Sequence, residues 1–271
     1  MFAATKGSSA GVSPQVFAFN GGVAGDPEDE NLLDITSLSG GNGYDITIDA
    51  ETGFYPEGTI GLGDVIIFAV CGLTGTSVTS TDFTSIYTSG GTLILWAVYN
   101  GSDLTLNVNT PNDQYGNNTS FHWHYYSVRY ADTSSPFDVS ISTTSYTKTS
   151  NGTYSVTSPS VTTSTDNSII FSGYLFQSVG NNSPLISPST LSNFLDVPSN
   201  MEAATNQGFG AGASYGDPTL TYTNLFSQAA YKQQTTAGSF TPNGWGSFTL
   251  YFTPSQKVYG ITYTLAIKPA P

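Results

Sequence analysis

Phe121-His122-Trp123-His124-Tyr125-Tyr126-Ser127-Val128-Arg129-Tyr130 is the stretch from which the fold can be read. Strict alternation places Phe121, Trp123 and Tyr125 on one face of a strand and His122, His124 and Tyr126 on the other. Aromatic and β-branched residues suit that pleated, laterally packed geometry. The stretch predicts a strand central to a sheet, with its two histidines packed among tyrosines on a half-exposed face. It stops at Ala131-Asp132-Thr133-Ser134-Ser135-Pro136, where small residues and a proline end the ladder before Phe137-Asp138-Val139-Ser140-Ile141 begins a new strand.

Outward from this strand the same grammar repeats. Gly61-Leu62-Gly63-Asp64 makes a turn, and residues 65–70 form an apolar run with the length of a buried strand. Further strands are expected at 84–87, 92–99, 104–108, 137–141, 154–157 and 168–176, then at 220–223, 227–232, 247–253 and 258–267. The separators Ser89-Gly90-Gly91, Asn100-Gly101-Ser102-Asp103 and Asn151-Gly152 carry residues that tolerate positive φ. Many short strands, Gly, Asn and Pro turns and no long helical pattern indicate an all-β protein, an antiparallel jelly-roll-like β-sandwich.

Two regions break the rhythm. Residues 1–56 are Gly-rich, with short strand-like pieces at 16–19 and 44–48. Such pieces do not form a core alone, so the segment is expected to be an irregular N-terminal arm docked on the domain 57–271 or on a neighbouring chain. Residues 177–218 form a long excursion, Gly-, Asn- and Pro-rich at both ends, with a short helical turn expected at 188–195. Excursions of this length usually serve recognition or contact.

Composition narrows the function. Of 271 residues only 9% are charged, against about 25% in an average soluble protein, so hydroxyls and amides must wet the surface. The formal net charge is −13, and the six basic residues, Lys6, Arg129, Lys148, Lys232, Lys257 and Lys268, are dispersed. Nucleic-acid binding needs them clustered. No apolar run approaches the ~20 residues of a membrane-spanning helix, and neither a signal peptide nor membrane insertion is expected. Cys71 is the single cysteine and follows the apolar run, so it reads as a buried, inert thiol and stability must come from packing.

Several quoted pieces, taken in order, carry a resemblance. They are Gly63-Asp64 before an apolar strand, Trp96-Ala97-Val98-Tyr99 followed by Gly101-Ser102-Asp103, and Val128-Arg129-Tyr130-Ala131-Asp132 with Pro136 and Asp138 behind it. Thr165-Asp166-Asn167-Ser168-Ile169-Ile170 and Tyr263-Thr264-Leu265-Ala266-Ile267-Lys268-Pro269 complete the series. In this order, over residues 57–269, the chain resembles the jelly-roll modules of bacteriophage virion surface and tail-fibre-type proteins. Where such modules often place glycine after the arginine, this chain has Tyr130. The resemblance implies a non-enzymatic structural protein of the virion, on a tail appendage or the head surface, made in the host cytoplasm. It further implies other virion proteins as partners, a homo-oligomer, most simply a trimer, and contact with a host surface glycan.

Candidate chemistry is sparse. His122 and His124 are the only histidines, and a His-x-His pair on one strand face ligates a transition metal when a third ligand joins it. Asp26, Glu28, Asp29 and Glu30 form an acidic run of the kind hard cations favour, without the alternation of an EF-hand. Neither set is complete, so no metal or cofactor is expected. No Gly-x-Ser-x-Gly elbow or Cys-His arrangement appears, and no carboxylate pair stands out for glycan hydrolysis. Tyr115, Tyr146, Tyr154, Tyr215 and Trp245 lie in or beside expected loops, where flat amphipathic rings stack on sugars or anchor protein interfaces. A carbohydrate-binding adhesin module is the alternative reading, and a glycan hydrolase whose two carboxylates lie far apart in sequence is the third.

Overall fold

The computed structural model describes residues 12–24, 34–37, 43–49, 59–111, 121–150, 152–181, 198–201, 203–204, 208–212, 221–250 and 257–271. Among them there is no helix. The protein is an all-β sandwich of antiparallel sheets whose strands fall into two consecutive halves.

The first half holds β1 (Gln15–Val23), β2 (Asp34–Ser37), β3 (Tyr44–Ile48), β4 (Val65–Cys71), β5 (Ser77–Thr79), β6 (Thr84–Ser89), β7 (Thr92–Val98), β8 (Leu104–Asn109) and β9 (His122–Arg129). They build two sheets, β1-β9-β4-β7-β6 and β2-β3-β8-β5. The second half holds β10 (Phe137–Lys148), β11 (Gly152–Val156), β12 (Val161–Thr162), β13 (Ser168–Asn181) and β14 (Ala203–Ala204). It continues with β15 (Gly208–Gly212), β16 (Thr221–Gln234), β17 (Ser239–Phe240), β18 (Gly246–Leu250) and β19 (Lys257–Ile267). Its large sheet runs β10-β19-β13-β16-β14, with β15 also on β16, and two ribbons, β11-β18 and β12-β17, stand apart.

The two halves repeat one strand order. In each, the first strand lies beside the last, giving β1-β9-β4-β7 and β10-β19-β13-β16. An early strand likewise pairs with the penultimate one, β3 with β8 and β11 with β18.

Packing stacks the sheets in layers with β1-β9-β4-β7-β6 inside. One face of that sheet supplies Ile66, Phe68, Leu95, Trp123 and Tyr125 to a core shared with Ile46, Ile48, Leu104, Leu106 and Val108 of the outer sheet. Its opposite face supplies Val65, Ile67, Ala69, Tyr126 and Val128 to a second core with Phe171, Leu175, Ile261, Tyr263 and Leu265 of the second half. All seven residues of β4 are therefore buried, which is why residues 65–70 read as unbroken apolar sequence rather than an alternation. The far face of the second-half sheet packs Ile170 and Ala266 against Val161 and Phe240 of the β12-β17 ribbon.

This layering corrects the reading of the aromatic strand. β9 is central, but neither face is half-exposed: His122 is 0% and His124 1% accessible, as buried as Trp123 and Tyr125 on the other side. The boundary drawn near residue 56 is crossed by continuous ladders. β1 pairs with β9 and β3 with β8, and Ala18, Ile35, Tyr44, Ile46 and Ile48 lie in the first core. Of the two dockings the sequence allows for this segment, the described strands have the one on their own chain. In the excursion 177–218, residues 177–181 extend β13, and β14 and β15 pair with β16. The turn expected at 188–195 lies outside the described residues.

Candidate functional site

The histidine pair sits between the halves. The imidazole Nε2 of His124 and the hydroxyl of Tyr263 are 2.7 Å apart in a buried hydrogen bond, the two rings are stacked with centroids 6.0 Å apart, and Tyr126 meets His124 edge-on. Burial, reinforced by neighbouring His122, pushes the His124 pKa down to about 3, because a charged ring has no water here. Burial likewise pushes the phenols of Tyr126 and Tyr263 up. The result is a neutral, interlocked imidazole and phenol layer joining two sheets. Among the described residues, no group of three or more His, Cys, Asp or Glu side chains is placed to hold a metal. Asp26, Glu28, Asp29 and Glu30 lie outside the described residues. Cys71 is buried, and its thiol is pushed up to about 12 by that burial.

The motif residues scattered along the sequence meet around the β9–β10 connection. Asp64, 0% exposed, receives Arg129 through Nε at 2.9 Å and a terminal guanidinium nitrogen at 3.0 Å, and also Ser127 Oγ at 2.7 Å and the Gly61 amide at 2.8 Å. The guanidinium lies 3.5 Å from the centroid of the Phe17 ring. Tyr130 follows at φ 61°, a left-handed backbone that explains why glycine suits this place. Asp132 pairs with Lys268 at 3.2 Å, Ala131 bridges Pro269, and Asp138 accepts hydrogen bonds from the amides and hydroxyls of Ser164 and Thr165. Each of these polar groups is engaged in holding turns together.

The aromatic residues expected to make outside contacts are placed differently from one another. Trp245 is 0% exposed: its indole N–H donates to Ser158 Oγ at 3.0 Å, and its ring meets Tyr174 edge-on. It is a core residue, a correction to its reading as a contact. The loop sequence around it gives no sign that the chain folds back over the second-half sheet. Tyr146 is 7% exposed, with its hydroxyl accepting from the Thr157 amide at 2.8 Å. Tyr154 is half-buried, donates to the Ser150 carbonyl at 2.6 Å and carries the Lys148 ammonium 5.0 Å from its ring centroid. Tyr115 and Tyr215 lie outside the described residues.

One surface cavity of about 270 Å³ joins the two halves. The β6–β7 turn brings Ser89, Gly90 and Thr92, β10 brings Ser145, Tyr146 and Thr147, and β19 brings Tyr259, Gly260 and Ile261. Tyr87, Thr74 and Gln177 complete the wall. Gln177 is 2% exposed; its amide nitrogen donates to the Gly90 carbonyl at 2.9 Å, while its buried carbonyl oxygen has no partner. Of this lining, sequence reading had singled out Tyr146 alone. The available signal was an amide at the end of the apolar strand 168–176, a position where an uncharged polar group is buried at a cost.

No family model matches the chain, and no curated protein or solved structure matches it.

Proposed function

We propose that the chain is a structural protein of a bacteriophage particle, on a tail appendage or the head surface, with each half a jelly roll. The observation that carries this reading is the repeated order β1-β9-β4-β7 and β10-β19-β13-β16, since jelly rolls are the double-sheet solution shared by viral capsid and lectin domains. The chemistry agrees with it. The histidines are sealed between sheets and the acids around Arg129 are committed to turns, while the outer surface is hydroxyl-rich and poor in charge. Other virion proteins and further copies of the chain, most simply two in a closed trimer, are its partners.

The test is mass spectrometry of particles purified by density gradient from infected cells, with a tagged copy of the chain expressed in those cells. Co-sedimentation of the tagged chain with intact particles is expected. A chain that stays at the top of the gradient while particles assemble normally would sink the proposal.

A further inference from the structure

We infer that the cavity between the two halves binds one neutral sugar ring of a glycan. The inference goes beyond a place in the virion and does not depend on it. Its wall contains no Asp, Glu, Lys, Arg or His, so a charged ligand would find no counter-ion. The net charge of −13 opposes an anionic one further. At about 270 Å³ the space lies just under the ~300 Å³ at which sites for drug-sized molecules begin. One ring fits such a space, and an extended oligosaccharide does not.

The hydroxyls of the wall set the polarity of the occupant. The Gln177 amide nitrogen is fixed on the Gly90 carbonyl, which ties the β6–β7 turn to β13 beside the cavity. A hydrocarbon ligand would strip water from the exposed hydroxyls of Thr74, Ser145 and Thr147 and return no hydrogen bond. A sugar's hydroxyls exchange hydrogen bonds with them. Tyr87 and Tyr259, both half-buried, supply flat amphipathic surfaces for the C–H face of a pyranose.

The experiment is saturation-transfer NMR on the purified full chain with methyl glycosides of glucose, galactose, mannose and N-acetylglucosamine, and with N-acetylneuraminic acid as the anionic comparison. At least one neutral glycoside is expected to receive saturation, more strongly than the acid. Two variants place the binding in the cavity. Ser145→Trp fills the mouth from an exposed strand position where the fold does not depend on the side chain, and Tyr259→Ala removes one of the two aromatic surfaces.

A loss of affinity greater than fivefold in Ser145→Trp, with an unchanged circular-dichroism melt, is the expected result, and a folded Tyr259→Ala should lose as much. Absence of saturation for all four neutral glycosides, a loss below fivefold in Ser145→Trp, or full binding by Tyr259→Ala would each overturn the inference. Because the measurement uses purified protein, its failure is distinct from a failure to find the chain in particles.

Discussion

Asp64 is a carboxylate without solvent exposure, held by four donors. Its partner Arg129 is a quarter exposed, and this asymmetry fixes the order of mutational effects. Arg129→Ala strands a negative charge inside the protein and should cost about 3–5 kcal/mol. Asp64→Asn leaves a guanidinium that can turn to water and should cost closer to ~2 kcal/mol. Urea unfolding of both variants checks the order, and equal losses would contradict it.

A second residue-scale prediction concerns pH. The folded protein keeps His124 neutral down to about pH 3, whereas a free imidazole takes its proton near pH 6.5. Between these values the unfolded chain binds a proton that the folded chain refuses, so stability falls as pH drops from about 6.5 towards 3 and is flat in this respect above 6.5. The full effect is on the order of 5 kcal/mol. Asp138, whose carboxyl burial raises but the Thr165 and Ser164 hydrogen bonds bring under its ordinary value on balance, adds a loss of its own at the acid end, as pH falls through the ordinary carboxylate range. His124→Gln keeps a partner for Tyr263 and should flatten the slope of urea midpoint against pH between 6.5 and 4. An unchanged slope would show that another group carries it. At this scale the sequence was readable where chemistry is local. The burial of Cys71 follows from the apolar run before it, while the Asp64–Arg129 pair spans 65 residues and leaves no trace in spacing.

Elements were legible in proportion to their apolar content. Residues 65–70 and 168–176 announce themselves, whereas the second part of β10, Ser142-Thr143-Thr144-Ser145-Tyr146-Thr147-Lys148, is built of residues equally at home in loops. It is held as strand by a regular register with β19 from Ser142 to Lys148. β19 itself turns on Gly260, which sits at φ +146° between Tyr146 and Phe176. A Cβ there would lie 2.0 Å from the Leu175 carbonyl oxygen and 2.8 Å from the Phe176 Cα, atoms of a paired backbone that cannot step aside. Gly260→Ala should therefore cost about 3 kcal/mol or more through strain and ladder displacement. Thermal unfolding by circular dichroism measures it, and a loss under 1 kcal/mol would mean that β13 and β19 part more easily than their pairing suggests.

For the molecule as a whole, the first 56 residues are the decisive case. Sequence reading expects a folded β domain after their removal. The pairing of β1 with β9 and of β3 with β8 now predicts that such a truncation uncovers Phe68, Trp123, Leu104 and Leu106, which share a core with Ile46 and Ile48. Cooperative melting should be lost, and a truncated chain that melts sharply near the full-length temperature would refute this. The segment resisted reading because its apolar residues stand in small groups interrupted by glycines and acids, and the value of each strand lies in the partner supplied from far along the chain. The repetition of strand order between the halves was invisible for a related reason, since it resides in hydrogen-bond connectivity and not in any recurring sequence period.

The central strands β9 and β4 are covered on both faces, and this has a consequence for biosynthesis. When Arg129 leaves the ribosome, the face carrying Ile67, Tyr126 and Val128 has no cover, because its cover is the sheet that ends at Ile267. At about 5–20 residues per second, the nascent first half must wait roughly seven to thirty seconds with an adhesive surface uncovered. Protection during that interval, by a chaperone or by slow compaction of the first half, is a requirement that the finished molecule no longer displays.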